Sequence, residues 1–284
     1  MMRFWIAGLA LAASLGAAQA QLDLSGAVPP TRPGATVGAT PVEPVVPPKA
    51  TAEARKPDKP DKNAVDFSVS LASAVGQPLK LNGRDGEMTL WGRDRALKIA
   101  KLTLAGEVIS DPTQKCRIDI VGDQPIEAKS LGRPDGLARY EAEIPVCTFT
   151  FDVVEGAALV PAQNAACVFK AADCRASPGG LWGPDAASLA DEAKAIAQAR
   201  AHADDADDAA TRLLKTLAAR LKGKPEADDV ERDEADLVTR GQEICRDYDK
   251  ESDHGFCASR MAQMRAAWLK ARVDKLTHET KTPD

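Results

Sequence analysis

The sequence predicts an α+β protein with its two parts segregated along the chain. The first is an antiparallel β-sandwich or small barrel; the second is a C-terminal antiparallel helical bundle or hairpin with one long helix. Three observations carry that expectation. Apolar residues alternate with period two between Asp66 and Pro161, separated by turn pairs. From Asp185 the period changes to steps of three and four. The six cysteines form an even set in a chain that opens like an exported one.

The chain starts Met1-Met2-Arg3, continues with an apolar run from Phe4 to Leu15, and reaches Ala18-Gln19-Ala20. A charged start, a short apolar run and an A-x-A end make a secretory signal peptide over 1–20, cleaved after Ala20. The run is too short for a spanning helix, which needs about 20 apolar residues. Residues 21–65 read as a disordered tether rich in Pro, Ala, Thr and Lys. Such a composition buries too little apolar surface to offset its ordering entropy.

The strand-rich part is expected over 66–176. Its candidate strands are Phe67–Leu71, Glu87–Trp91, Leu97–Leu104, Cys116–Val121, Ala138–Ile144, Cys147–Val153 and Ala158–Val160. Asn82-Gly83, Asp85-Gly86, Asp135-Gly136 and Glu155-Gly156 supply the turns. Trp91 is the one strand tryptophan here; it could stack on a sugar ring, but core or half-buried is the ordinary place for it. Asp152 and Glu155 lie in one hairpin, a spacing that does not set two carboxylates across a cleft. Residues 177–184, with Gly and Pro around Leu181 and Trp182, read as the junction, Trp182 packing one part against the other.

The helical part is expected over 185–276, followed by a disordered tail at 277–284. Ser188 and Asp191 approximate a capping box. An apolar stripe then runs unbroken from Leu189 through Ile196, Ala203, Ala210 and Leu217 to Leu221, and Gly223 and Pro225 stop it. Asp204, Asp205, Asp207 and Asp208 cluster at mid-helix, as either a solvated face or a docking surface for a basic protein. A second helix is expected from Asp228 to Tyr248 and a third from Phe256 to Leu276. Met261, Met264 and Trp268 share a face of the third.

Position pairs Cys245 with Cys257 across the turn between these helices. Cys167–Cys174 would close a short loop, and Cys116–Cys147 would tie two strands, although sequence alone cannot fix the connectivity. His254 stands near Cys257, but a thiolate nucleophile must stay free, and the paired reading takes precedence. Three scattered histidines and the cysteine spacing give no zinc pattern, so no metal or cofactor is expected. The net charge of −5 gives no basic footprint for nucleic acid. No nucleophile, base and orienting group can be assembled, so an enzyme is not expected.

Cys245 followed by a helix ending Ala266-Ala267-Trp268-Leu269-Lys270-Ala271-Arg272 resembles the closing element of the LprI-like lysozyme-inhibitor domain. The wider layout is similar to exported alphaproteobacterial proteins assigned to that family. The shared segments are Cys167–Cys174, Gly180–Pro184, Cys245–Tyr248 and His254–Cys257. Two features depart from the family: no cysteine follows Arg272, and no lipid-accepting cysteine lies near the leader. The resemblance implies a periplasmic or secreted protein that binds lysozyme or another envelope protein through its helical half. Candidate partner-binding residues are Asp204, Asp205, Asp207, Asp208, His254 and Trp268. The alternative is a structural or scaffolding envelope protein whose strand part binds glycan or protein.

Overall fold

The structure is a computed structural model, and it describes residues 71–122, 124–161 and 166–279. The expected leader, the tether and the strand Phe67–Leu71, but for its last residue, lie outside that range. Eleven strands come first: β1 (Pro78–Leu81), β2 (Asp85–Trp91), β3 (Lys98–Val108), β4 (Lys115–Asp119), β5 (Ile126–Gly132), β6 (Ala138–Ala142), β7 (Phe149–Val154), β8 (Ala157–Val160), β9 (Cys167–Phe169), β10 (Cys174–Ala176) and β11 (Gly180–Gly183). The helices follow: α1 (Ala186–Ala190), α2 (Ala193–Arg220), α3 (Glu226–Asp247), α4 (Glu251–His254) and α5 (Phe256–Glu279).

The sheet closes. Its order runs β2-β1-β11-β8-β7-β6-β5-β3, and β3 pairs back onto β2, so these strands form an antiparallel barrel. The remaining strands, β4, β9 and β10, extend from the far half of β3. Inside the barrel are Leu79, Met88, Leu90, Ile99, Phe149, Phe151 and Trp182, with Tyr140 stacked on Phe151 at 5.5 Å. Alternation sends the next residues outward. On β7, β8 and β11 those outward residues are also buried: Val154, Ala157, Leu159 and Leu181 pack against Tyr248, Phe256, Met264 and Ala267. These strands are covered on both faces, which is why they read as nearly continuous apolar runs.

The segregated arrangement is therefore corrected. Of the two β arrangements expected the barrel is the one found, but the helices are not a free-standing bundle, because they share a core with the barrel wall. The expected junction contributes β11, a barrel strand paired with β1 and β8. Trp182 lies inside the barrel, its indole Nε1 donating to the Pro178 carbonyl at 2.9 Å, and Leu181 makes the contact to the helices. The single long helix is also divided: α1 ends at Ala190 and α2 starts at Ala193. Asp185 caps α1 by accepting from Ala187 N at 2.9 Å, and the Ser188 hydroxyl donates to the Asp185 carbonyl, in place of the capping box. α5 continues past the expected end at Leu276 to Glu279, and the rest of the expected tail lies outside the described residues.

All six cysteines are paired, as Cys116–Cys174, Cys147–Cys167 and Cys245–Cys257. This suits an oxidising compartment. Two expected pairs, Cys116–Cys147 and Cys167–Cys174, do not form. β9 and β10 make a hairpin in which Cys167 stands opposite Ala176 and Cys174 opposite Phe169, so those two cysteines are not cross-strand partners. β4 and β10 flank β3 on opposite sides, and in a flat sheet they would be two strand spacings apart, about 10 Å. Cys116 and Cys174 nevertheless have Cα atoms 5.8 Å apart, because the sheet folds at Gly106. A Cβ at Gly106 would stand 2.1 Å from the Arg175 carbonyl oxygen, so only glycine permits the fold. Among the described residues no helix is long and apolar enough to cross a membrane.

Candidate functional site: the cleft beneath α3

α2 and α5 pack along their length around Ala206, Ala210, Leu217, Ala266 and Leu269. Alanine faces allow that close approach. α3 is held differently. Gly241 is its only buried residue, and a Cβ there would stand 3.3 Å from Met261 Cγ of α5. Val230, Leu237 and Ile244 are only half-buried against the helical cores, and the remaining ties are polar or covalent. Arg265 of α5 reaches Glu234 at 2.6 Å and Asp207 of α2 at 3.4 Å, and Arg272 reaches Asp233 at 3.4 Å. The Cys245–Cys257 bridge fixes the C-terminal end of α3 to the start of α5.

Between α3, α5 and the barrel wall lies a cleft of about 600 Å³. Its floor is apolar, with Leu137 and Leu159 from the barrel and Met261, Met264 and Trp268 from α5. Asp233, Asp236, Arg240, Glu243 and Ile244 of α3 form one wall, at the spacing that puts residues on one helix face. The opposite wall carries Arg139 and Asp152. These are directly opposed across β6 and β7, and Arg139 makes two bonds to the Asp152 carboxylate, at 2.7 and 2.9 Å. Asp135 adds a further contact at 2.9 Å. The Asp152 hydrogen bond dominates over burial and pushes the Arg139 guanidinium further up, so it stays charged.

At the end of the cleft the turn from α3 to α5 is tightly built. Glu251 accepts from Cys257 N at 2.9 Å and Ala258 N at 2.7 Å, capping α5 from six and seven residues back. Burial pushes its carboxyl above the usual range, against those two hydrogen bonds. Burial likewise raises the Tyr248 phenol, whose hydroxyl donates to the Pro184 carbonyl at 2.9 Å. Asn82 joins three elements. It exchanges backbone and side-chain bonds with Leu181 and accepts from Asp249 N through its carbonyl. The Asn82–Arg84 turn is thus a docking turn for the helices, with Gly83 against Tyr248 and Ala186.

The expected partner-binding residues fall apart spatially. Asp204, Asp205 and Asp208 are exposed on α2, and Asp207 is drawn to Arg265. His254 is 1% exposed, so it cannot meet a partner. Its Nδ1 accepts from Phe256 N at 3.1 Å, which leaves Nε2 to donate to the Asp249 carbonyl at 2.9 Å. Trp268 is also buried, with the Arg272 guanidinium 5.0 Å from its ring centroid, and only an edge reaches the cleft. Cys257 is bridged and holds no thiolate. Sequence reasoning missed the Arg139–Asp152 pair and the acidic wall of α3. The run of acids from Glu226 to Asp236 was visible, but not what it faces. Trp91 is corrected as well: it is 60% exposed, neither core nor half-buried.

No family model matches the chain, and no curated protein or solved structure matches it. Nothing in these comparisons identifies the lysozyme-inhibitor family.

Proposed function

We propose that the chain is an exported binding protein of lysozyme-inhibitor type, acting by protein–protein contact through its helical half, with the cleft beneath α3 receiving a basic partner. One observation carries this reading: Asp236 and Glu243 overlook an apolar floor formed by Leu159, Met264 and the edge of Trp268. The rim is acidic in balance, although Arg240 stands between Asp236 and Glu243, and above an apolar floor it fits a cationic segment that also presents an apolar side chain. The exposed aspartates of α2 add to the negative charge of the helical half and would steer encounter, since opposite charges mainly raise the association rate. The three disulfides suit a periplasmic or secreted location.

The test uses the oxidised chain and a basic lysozyme at low salt. Lysozyme activity is measured against increasing chain, with Asp236→Asn/Glu243→Gln as the variant. The expected result is inhibition that weakens with added salt, because charges more than about 10 Å apart are screened at 0.1 M, and that is lost in the variant. Full lysozyme activity at molar excess of the chain sinks the lysozyme reading. Inhibition unchanged in the variant sinks the cleft as its seat.

A further inference from the structure

The barrel has a covered side and an open side. The helices lie over β7, β8 and β11; β2, β3 and β5 stand across the ring from them. On this open side Trp91 is 60% exposed. It is the last residue of β2 and pairs with Lys98 of β3, which holds its backbone. Leu90 points into the barrel and alternation directs Trp91 outward. Register then sets a row across the outer face: Trp91 opposite Lys98, and Lys98 opposite Glu127. Lys98 and Glu127 also line an open depression of about 1190 Å³ together with Arg95, Lys129, Ser130 and Glu143.

The chemistry of this row is specific. Lys98 pairs with Glu127 at 3.4 Å, and Lys129 lies 3.9 Å from Glu143. Charges of both signs alternate and pair, so the depression presents no one-sign field to steer a polyanion or a cationic protein. The other exposed large apolar side chains among the described residues, Leu131, Val146 and Val168, do not belong to the row, so it lacks the apolar cluster that forms the centre of a protein interface. What remains is one rigid indole face beside closely spaced donors and acceptors. A pyranose ring is the complement of that surface. Its C–H face stacks on an indole, and its hydroxyls both donate to carboxylates and accept from ammonium groups.

We propose that Trp91, Lys98 and Glu127, with the depression beside them, form a binding platform for hexopyranose units of a polysaccharide. This site is on the other side of the barrel from the cleft beneath α3 and does not depend on the protein-binding reading.

The experiment takes the full oxidised chain and measures co-sedimentation with purified peptidoglycan sacculi, and titration with chitin and cellulose hexasaccharides. Tryptophan emission is followed in parallel; Trp182 and Trp268 are buried, so Trp91 is the described tryptophan that can respond. At least one of these glycans is expected to bind with a blue shift. Trp91→Ala should weaken binding about tenfold or more and leave the melting temperature unchanged, while Trp91→Phe, which keeps a ring face, retains most of it. Lys98→Ala/Glu127→Ala should weaken binding severalfold. Equal binding by Trp91→Ala, no binding to any probe at millimolar concentration, or Trp91-dependent binding to lipid vesicles instead would each overturn the proposal.

Discussion

Leu181 and Trp182 are consecutive residues of β11 that belong to different cores: Trp182 lies inside the barrel, and Leu181 lies between barrel and helices. Both are fully buried. Each should therefore be costly to truncate, for separate reasons. Trp182→Ala empties part of the barrel and should cost about 3–5 kcal/mol; Leu181→Ala opens the seam and should cost about 2–5 kcal/mol. Because the seam joins both parts, denaturant unfolding followed by near- and far-ultraviolet circular dichroism should give one coincident transition. Two separated transitions would mean that barrel and helices are independent.

Connectivity of the disulfides gives a direct check on the fold of β3. Peptide mapping without reduction should recover Cys116 joined to Cys174 and Cys147 joined to Cys167. Recovery of a Cys167–Cys174 peptide would contradict the β9–β10 hairpin register. Gly106→Ala should destabilise the oxidised protein more than Gly122→Ala, because an added Cβ meets backbone at the first and open space at the second.

Two carboxylates should give opposite pH signatures. Lys101 and Lys80 hold the Glu87 carboxyl below its ordinary value of 4.5. Its contribution to stability is present above that value and is lost as pH falls through the lower, folded value. Burial holds Glu251 above 4.5. The folded state then binds that proton more tightly than the unfolded state, so its contribution is present below 4.5 and is lost as pH rises through the folded value. Relative to wild type, Glu87→Gln should thus lose stability at neutral pH and little at low pH. For Glu251→Gln the wild-type advantage should shrink as pH rises from 4 towards neutral. Denaturant midpoints measured across that range check both, and parallel curves for the two variants would refute the assignment.

Part of this architecture could be read from the sequence, and the boundary has physical causes. β2 announces itself through local alternation after the Asn82-Gly83 turn, β7 and β8 through apolar runs on either side of Glu155-Gly156, and α3 and α5 through helical periodicity; Asp85-Gly86, expected as a turn, opens β2 instead. β11 does not, because Gly180-Leu181-Trp182-Gly183 is short and sits between Pro178 and Pro184. It is a strand only through pairing with β1 and β8, which are distant in sequence. The break between α1 and α2 was hidden because Leu189, Ala193 and Ile196 keep the apolar stripe in step across it. The Cys116–Cys174 pairing was hidden because it depends on how the sheet folds at Gly106. The cleft was beyond reach because its two walls, α3 and the β6–β7 pair with Arg139 and Asp152, are far apart in sequence and face each other only in the folded chain.

The last prediction concerns how firmly α3 is held. With Gly241 its only buried residue and Val230, Leu237 and Ile244 half-buried, α3 leans on the Cys245–Cys257 bridge and on Arg265, whose guanidinium is shared between Glu234 and Asp207. Cys245→Ser/Cys257→Ser removes a tie that closes a short loop and should cost about 2–3 kcal/mol. Arg265→Met leaves Glu234, a largely buried carboxylate, without its partner, for a cost of about 1–3 kcal/mol. In both variants amide exchange should accelerate first over Glu226–Asp247, while α2 and the barrel strands keep their protection, because their apolar cores are untouched. Uniform acceleration across α2, α5 and the barrel would mean that α3 is an integral part of the fold and not a strap over the cleft.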